Sequence, residues 1–170
     1  MIDDIESNIS KFTDIYKVYT ANNFIVGIAL TKNDTLKIES YLNRHCPYSF
    51  YDSNNKIKED LKKQISKYFK GELQQFTLPY KIYGTPFQIK VLTTVAKIPY
   101  GNVLTYKDIG LIIGTNGYRA IGLAVKTNPL GILVPCHRVI ASDSIGGYSL
   151  GKGVDFKKYL LNLEKKHSLI

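Results

Sequence analysis

The residues best suited to chemistry stand together at Pro135-Cys136-His137-Arg138. A proline ends regular structure and presents the next residue on a turn, where a thiol can be reached. The thiolate is the nucleophile, and a free cysteine with a pKa of about 8.5 is only a few per cent thiolate at neutral pH. A neighbouring histidine, an arginine or a helix N-terminus raises that fraction. Adjacent side chains often point apart, so His137 would reach Cys136 through a bridging water. An acid such as Glu164 could then orient the other imidazole nitrogen. The alternative is an inert buried thiol, the ordinary state of a lone cysteine. The other cysteine, Cys46, follows His45. Joining the two Cys-His pairs into a zinc site would need chelation by adjacent residues, which is poor geometry, so no metal site is expected.

The elements around these residues can be read from periodicity and punctuation. In the first half, Tyr16–Thr20 and Phe24–Leu30 are β-rich runs joined across Ala21-Asn22-Asn23, a hairpin pattern. Thr31-Lys32-Asn33-Asp34 reads as a second turn, Thr35–Tyr41 as a third strand or a helix start, and Tyr48–Asn55 as loop. Lys56–Lys70 carries Ile57, Leu61, Ile65 and Phe69 at a spacing of four and stops at Gly71, an amphipathic helix with a C-terminal glycine. Glu72–Tyr83 is expected to link the halves. In the second half, Thr85-Pro86-Phe87-Gln88 forms a capping box with proline in the first turn, and the helix behind it should end before Pro99. Thr105 and Asp108 cap a short helix that runs through Ile113 and stops at Gly114. A further helix from about Tyr118 to Thr127 ends at Asn128-Pro129. Two short helices around a glycine-containing turn are a helix-turn-helix candidate. Ile132-Leu133-Val134 is a short buried segment that leads into the cysteine.

Composition sets the wider frame. The chain has 170 residues, 44% hydrophobic and 22% charged, which suits a folded protein and excludes a disordered one. Two cysteines cannot build a disulfide framework. Apolar stretches such as Phe24–Leu30 fall far short of the roughly 18 residues a membrane span needs. The opening MIDDIES lacks the basic flank and apolar run of a secretory signal, so an intracellular, soluble protein is expected. Charge is uneven: residues 1–80 carry a net +1 and residues 81–170 a net +8, within a total of +9. A basic half suggests a polyanionic partner, with solvated lysine as the equal alternative. Lys62, Lys63, Lys67 and Lys70, and again Lys157, Lys158, Lys165 and Lys166, are expected on solvated faces, and His167 has no assigned role.

Residues 84–164 as a whole resemble the O6-alkylguanine-DNA alkyltransferases, also called methylated-DNA–protein-cysteine methyltransferases. The resemblance is carried by GTPFQIKVL at Gly84–Leu92, IPYGNVLTY at Ile98–Tyr106, RAIGLAVKTNP at Arg119–Pro129, ILVPCHRVIA at Ile132–Ala141 and GGYSLG at Gly146–Gly151, followed by KKYLLNLE at Lys157–Glu164. It implies an α+β protein with a small N-terminal antiparallel sheet-and-helix domain (residues 1–80, a structural role) and a mostly helical C-terminal domain (residues 81–170) with a helix-turn-helix, the DNA-binding and active-site part. The implied activity is DNA repair by irreversible, single-turnover transfer of a methyl or other alkyl group from O6 of guanine to Cys136. The resemblance gives His137 and Glu164 a cysteine–water–histidine–glutamate relay. It makes Asn128 the brace of the cysteine's turn and Tyr106 the residue that helps turn the nucleotide and assists the leaving guanine. Arg119 becomes the finger filling the base stack, Ala120 and Gly122 the small residues of a recognition helix lying in the minor groove, and Thr105 a further DNA contact. Pro135, Val139 through its backbone, Tyr148 and Ser149 are implied around the flipped guanine. No cofactor is implied. The implied partner is alkylated double-stranded DNA, bound by a monomer in the cytoplasm or at the nucleoid and not at a membrane.

Several features depart from the family pattern. The loop Gly114–Tyr118 lacks the proline common before the finger arginine, Ala141–Ile145 is one residue short, and Tyr148–Glu164 is slightly long. Some members hold zinc in the first domain, whereas here only His45 and Cys46 could contribute. Two rival readings belong to other classes. A pure DNA-binding regulator would leave Cys136 dispensable, and a Cys-His hydrolase would turn over repeatedly on an acyl substrate. The chemistry agrees with the alkyl transfer that the resemblance implies: displacement at saturated carbon needs a soft in-line nucleophile and no oxyanion hole, and the thioether product resists hydrolysis.

Overall fold

The computed structural model describes residues 15–53, 55–151 and 153–168, so the acidic opening segment lies outside the described residues. The chain divides into two compact units, Met1–Lys81 and Ile82–Ile170.

In the first unit, β1 (Lys17–Ala21) pairs antiparallel with β2 (Phe24–Ala29). The turn between them places Asn22 and Asn23 at φ 48° and 66°, the left-handed pair that hairpin twist favours and asparagine tolerates. Thr31-Lys32-Asn33-Asp34, expected as a turn, instead opens α1 (Lys32–His45). Thr31 caps the helix and Asp34 returns the bond to the Thr31 backbone at 2.8 Å. Ile38 and Leu42 of α1 are buried. Within the stretch expected as loop, Tyr51–Asp52 forms β3 and pairs with the free edge of β1, giving the order β2-β1-β3. Helix α2 (Asn55–Phe69) buries Leu61, Ile65, Tyr68 and Phe69 and leaves Lys62, Lys63, Lys67 and Lys70 exposed. The segment expected only to link the halves also forms structure: Tyr80 bridges Ile25, with Lys81 N donating to Ile25 O at 3.0 Å.

The second unit is helical around a two-stranded parallel ladder. Helix α3 (Pro86–Ala96) starts from the Thr85–Gln88 capping box and buries Val91, Leu92 and Val95. Burying each such side chain contributes roughly 1.5–3 kcal/mol, and truncating Leu92 to alanine should cost about 2–5 kcal/mol. Strand β4 (Leu104–Thr105) pairs with β5 (Val139–Ile140), which joins the segment before α4 (Tyr106–Ile113) to the segment after the cysteine. α4 ends at Gly114 in the left-handed conformation at φ 76°. Helix α5 (Tyr118–Lys126) follows after a short turn. Gly110 makes the turn between α4 and α5 possible, because a Cβ there would lie 2.6 Å from Thr115 O and 2.8 Å from the Tyr118 ring. Helix α6 (Val154–His167) closes the unit, with Phe156 and Leu160 buried. Among the described residues, no helix is long and apolar enough to cross a membrane.

Candidate active site

The turn that carries Cys136 is built from backbone constraints. α5 ends at Lys126, and Asn128 then spans the next loop: its Nδ2 donates to Val134 O and its Oδ1 accepts from Leu130 N, both at 3.0 Å. Between those anchors Ile132 sits at φ 76°, a strained conformation for a β-branched residue that costs on the order of 1–3 kcal/mol. The two Asn128 bonds offset that cost. Pro135 at φ −78° and ψ 65° makes a tight turn, closed by Cys136 N donating to Val134 O at 2.8 Å. Cys136–Arg138 follow as one 3-10 turn, and all three residues are buried.

Cys136 forms the floor of a cavity of about 300 Å³. Its walls are Tyr106 from α4, Gly122, Val125 and Lys126 from α5, and Gly147, Tyr148 and Ser149 from the loop before α6. The thiol sulfur lies 3.9 Å from Tyr148 Oη. Burial pushes the Cys136 thiol up, and the Asn128 side chain, the Tyr148 hydroxyl and the Lys157 ammonium act against it. Tyr106 is also pushed up, first by burial and then by Cys136, so its phenol stays protonated. Ser149 Oγ donates to Lys126 O at 3.0 Å and ties the loop to the end of α5.

Beneath the cavity lies a buried ionic cluster. His137 Nε2 bonds Glu164 Oε1 at 2.7 Å. An ionised carboxylate only accepts, so that nitrogen carries the proton. Burial holds the His137 imidazole below its usual range, with Glu164 opposing. Arg138 grips the same carboxylate, Nε at 2.9 Å from Oε2 and Nη2 at 2.9 Å from Oε1, and donates through Nη1 to Ile98 O at 2.6 Å. Gly101 N adds a donor to Oε2 at 3.0 Å. Burial alone would raise the Glu164 carboxyl, but the His137 and Arg138 donors outweigh it and hold it at about 2.

The structure therefore gathers Cys136, Tyr106, Gly122, Tyr148 and Ser149 around one cavity and sets Asn128, His137 and Glu164 behind it. Pro135 and Val139 are buried and do not line the wall. Arg119 and Ala120 lie exposed in the first turn of α5. The Thr105 hydroxyl, expected at DNA, is engaged in the cap of α4, donating to Asp108 Oδ2 at 2.6 Å.

Lys157 requires a correction. Expected on a solvated face, it is 1% exposed, and its ammonium donates to Val139 O at 2.5 Å and Gly147 O at 3.2 Å. The signal was present in the sequence: Lys157, Leu160 and Glu164 fall at i, i+3 and i+7, one face of a helix. Arg138 as the second partner of Glu164 had no comparable signal, because the two meet across 26 residues of chain.

Comparison with known proteins places this geometry. Residues 86–166 match the family model described as the DNA-binding domain of 6-O-methylguanine DNA methyltransferase. The methylated-DNA–protein-cysteine methyltransferase of Methanosarcina barkeri is 43% identical over 116 residues, covering 67% of this chain and 72% of the relative. The one from Archaeoglobus fulgidus is 40% identical over 121 residues, covering 69% and 82%. Among solved structures, the Mycobacterium tuberculosis OGT in complex with DNA superposes with a TM-score of 0.71 at 30% identity, covering 88% of this chain and 86% of that one. The O6-methylguanine-DNA methyltransferase of Pyrococcus kodakaraensis gives 0.66 at 32% identity, covering 86% and 89%. A matched domain that begins at α3 and runs through Glu164, with relatives this similar over most of their own length, establishes that the chain belongs to the methylated-DNA–protein-cysteine methyltransferase family.

Proposed function

We propose that this methyltransferase repairs DNA by moving a methyl or other alkyl group from O6 of guanine onto Cys136, once per molecule, with the base turned out of the duplex from the minor groove. The observation that carries the reading is the placement of the Cys136 sulfur at the floor of a base-sized cavity between two tyrosines. In the transfer, a bond forms between sulfur and the alkyl carbon as the bond from that carbon to O6 breaks. The thiol proton passes through water to His137 Nδ1, because Nε2 already donates to Glu164, and Glu164 stabilises the imidazolium. The departing guanine takes a proton from the Tyr106 hydroxyl, which is restored from the His137 side, so the thiol proton ends on guanine. A thioether is not hydrolysed by water, which makes each chain a single-use reagent. The transfer needs no cofactor.

The DNA side of the reading rests on the helix-turn-helix of α4 and α5. The target oxygen is at the pairing edge inside the duplex, so the base must leave the stack at a cost of a few kcal/mol. Arg119, exposed on the first turn of α5, fills the gap, and Ala120 and Gly122 let the helix approach the minor groove. Thr105 serves this surface by capping α4, and Pro135 and Val139 serve the pocket from beneath it. Methyl-labelled duplex DNA tests the reading. Label should move to the unmodified protein and to Cys46→Ala, and none to Cys136→Ser, which should keep DNA affinity within a few-fold. Label uptake by Cys136→Ser would refute it.

A further inference from the structure

Two cations are buried beside Cys136, and their charges are balanced differently. The Arg138 guanidinium is matched by the Glu164 carboxylate at 2.9 Å, so that pair carries no net charge. Among the described residues, Lys157 has no carboxylate partner. Its ammonium is held by two neutral carbonyls, those of Val139 and Gly147. Such a group is expensive to bury, and burial draws Lys157 down to about 8, with Cys136 as the neighbour that draws it back up. With the thiol protonated, the cluster therefore holds one excess positive charge. Loss of the thiol proton brings it to neutrality, the favourable direction in a medium of low dielectric.

The same side chain also bridges two parts of the site. Val139 N bonds Cys136 O, so the Val139 carbonyl belongs to the turn that carries the thiol. Gly147 forms part of the cavity wall, and the next residue is Tyr148, whose hydroxyl lies 3.9 Å from the sulfur. We propose that Lys157 is a positioning residue of the transfer: its ammonium is the counter-charge of the Cys136 thiolate, and its two hydrogen bonds fasten the Tyr148 loop to the turn that bears the cysteine. In the ionisation, the S–H bond breaks, its proton leaves the cluster for bulk water, and the ammonium keeps its own protons. The other titratable and charged groups around the thiol are His137 and Arg138 on the turn, Glu164 on α6, Tyr106 on α4, Lys126 at the cavity wall on α5 and Tyr148 on the loop.

The proposal rests on Cys136 as the acceptor, which label uptake by the unmodified protein and its absence in Cys136→Ser test separately. The thiolate titration needs no transfer at all. In a Cys46→Ala background only one thiol titrates, and its ultraviolet thiolate absorbance can be followed against pH in the parent, Lys157→Met and Lys157→Arg. Lys157→Met should raise the midpoint by about one pH unit, which leaves roughly tenfold less thiolate near neutrality. The rate on saturating free O6-methylguanine should fall by about the same factor, and Lys157→Arg should recover most of both. An unchanged midpoint in Lys157→Met overturns the proposal. Should that variant not fold, the unmodified chain provides the test through the side-chain NMR signal of Lys157, titrated before and after methylation of Cys136. S-methylcysteine carries no charge, so the lysine midpoint should fall by about one pH unit, and equal midpoints overturn the proposal.

Discussion

Replacing Glu164 by glutamine should destabilise the protein by about 3 kcal/mol at neutral pH, with a characteristic loss of that effect in acid. Glu164 is 1% exposed and receives His137 Nε2, two nitrogens of Arg138 and the Gly101 amide. Its carboxyl stands at about 2 against the usual 4.5, which at about 1.4 kcal/mol for each pH unit is on the order of 3 kcal/mol. Breaking a buried ion pair by removing one partner gives an independent figure of about 3–5 kcal/mol, since Arg138 is left uncompensated. Because the folded carboxyl is depressed, its contribution is complete above the unfolded value of 4.5 and is lost as pH falls through the folded value near 2. Urea unfolding of the parent and Glu164→Gln at pH 7 and pH 3 checks this. The difference should be about 3 kcal/mol at pH 7 and about half of that at pH 3. A difference below about 1 kcal/mol at pH 7, or one that does not shrink at pH 3, would show that the charge of Glu164 contributes nothing to the fold.

Arg119→Ala should slow repair of duplex DNA by roughly ten- to a thousandfold, at about 1.4 kcal/mol per factor of ten, and leave reaction with the free alkylated base near the parent rate; equal losses would remove the finger. Asn128→Ala strands the Leu130 amide and removes one of the two donors to the Val134 carbonyl beside strained Ile132, which should cost about 1–3 kcal/mol in denaturant unfolding. Gly110→Ala forces a Cβ against Thr115 O and Tyr118, so thermal unfolding should shift down by the equivalent of about 1–3 kcal/mol. Duplex affinity should fall steeply with salt while the free-base reaction barely changes, a contrast that disappears if the +8 half makes no phosphate contacts.

The parts of the molecule legible in the sequence were those governed by local rules. The capping boxes at Thr85 and Thr105, the asparagine hairpin and the stop at Gly114 each follow from a few adjacent residues. The Thr31–Asp34 box obeys the same rule, yet its sequence fits a turn equally well, because polar residues open helices and turns alike. The two-residue strand Tyr51–Asp52 left no such trace, since its existence depends on the open edge of β1 and not on its own composition. At the site, Cys136 stood out through its neighbours, whereas the sharing of Glu164 between His137 and Arg138 is a tertiary fact. Lysine is so commonly solvated that its residue type points Lys157 outward, although its helical spacing from Glu164 marks it as inward.

The central claim is that a carbon–sulfur bond forms at Cys136 and is never undone. Incubating the protein with excess duplex carrying O6-methylguanine, then measuring the intact mass and mapping the modified peptide, tests it most directly. One added methyl group per chain is expected, on Cys136 alone, with no further repair after that group is installed. Continued repair beyond one guanine per chain, or a methyl group found on Cys46 or on no cysteine, would contradict it.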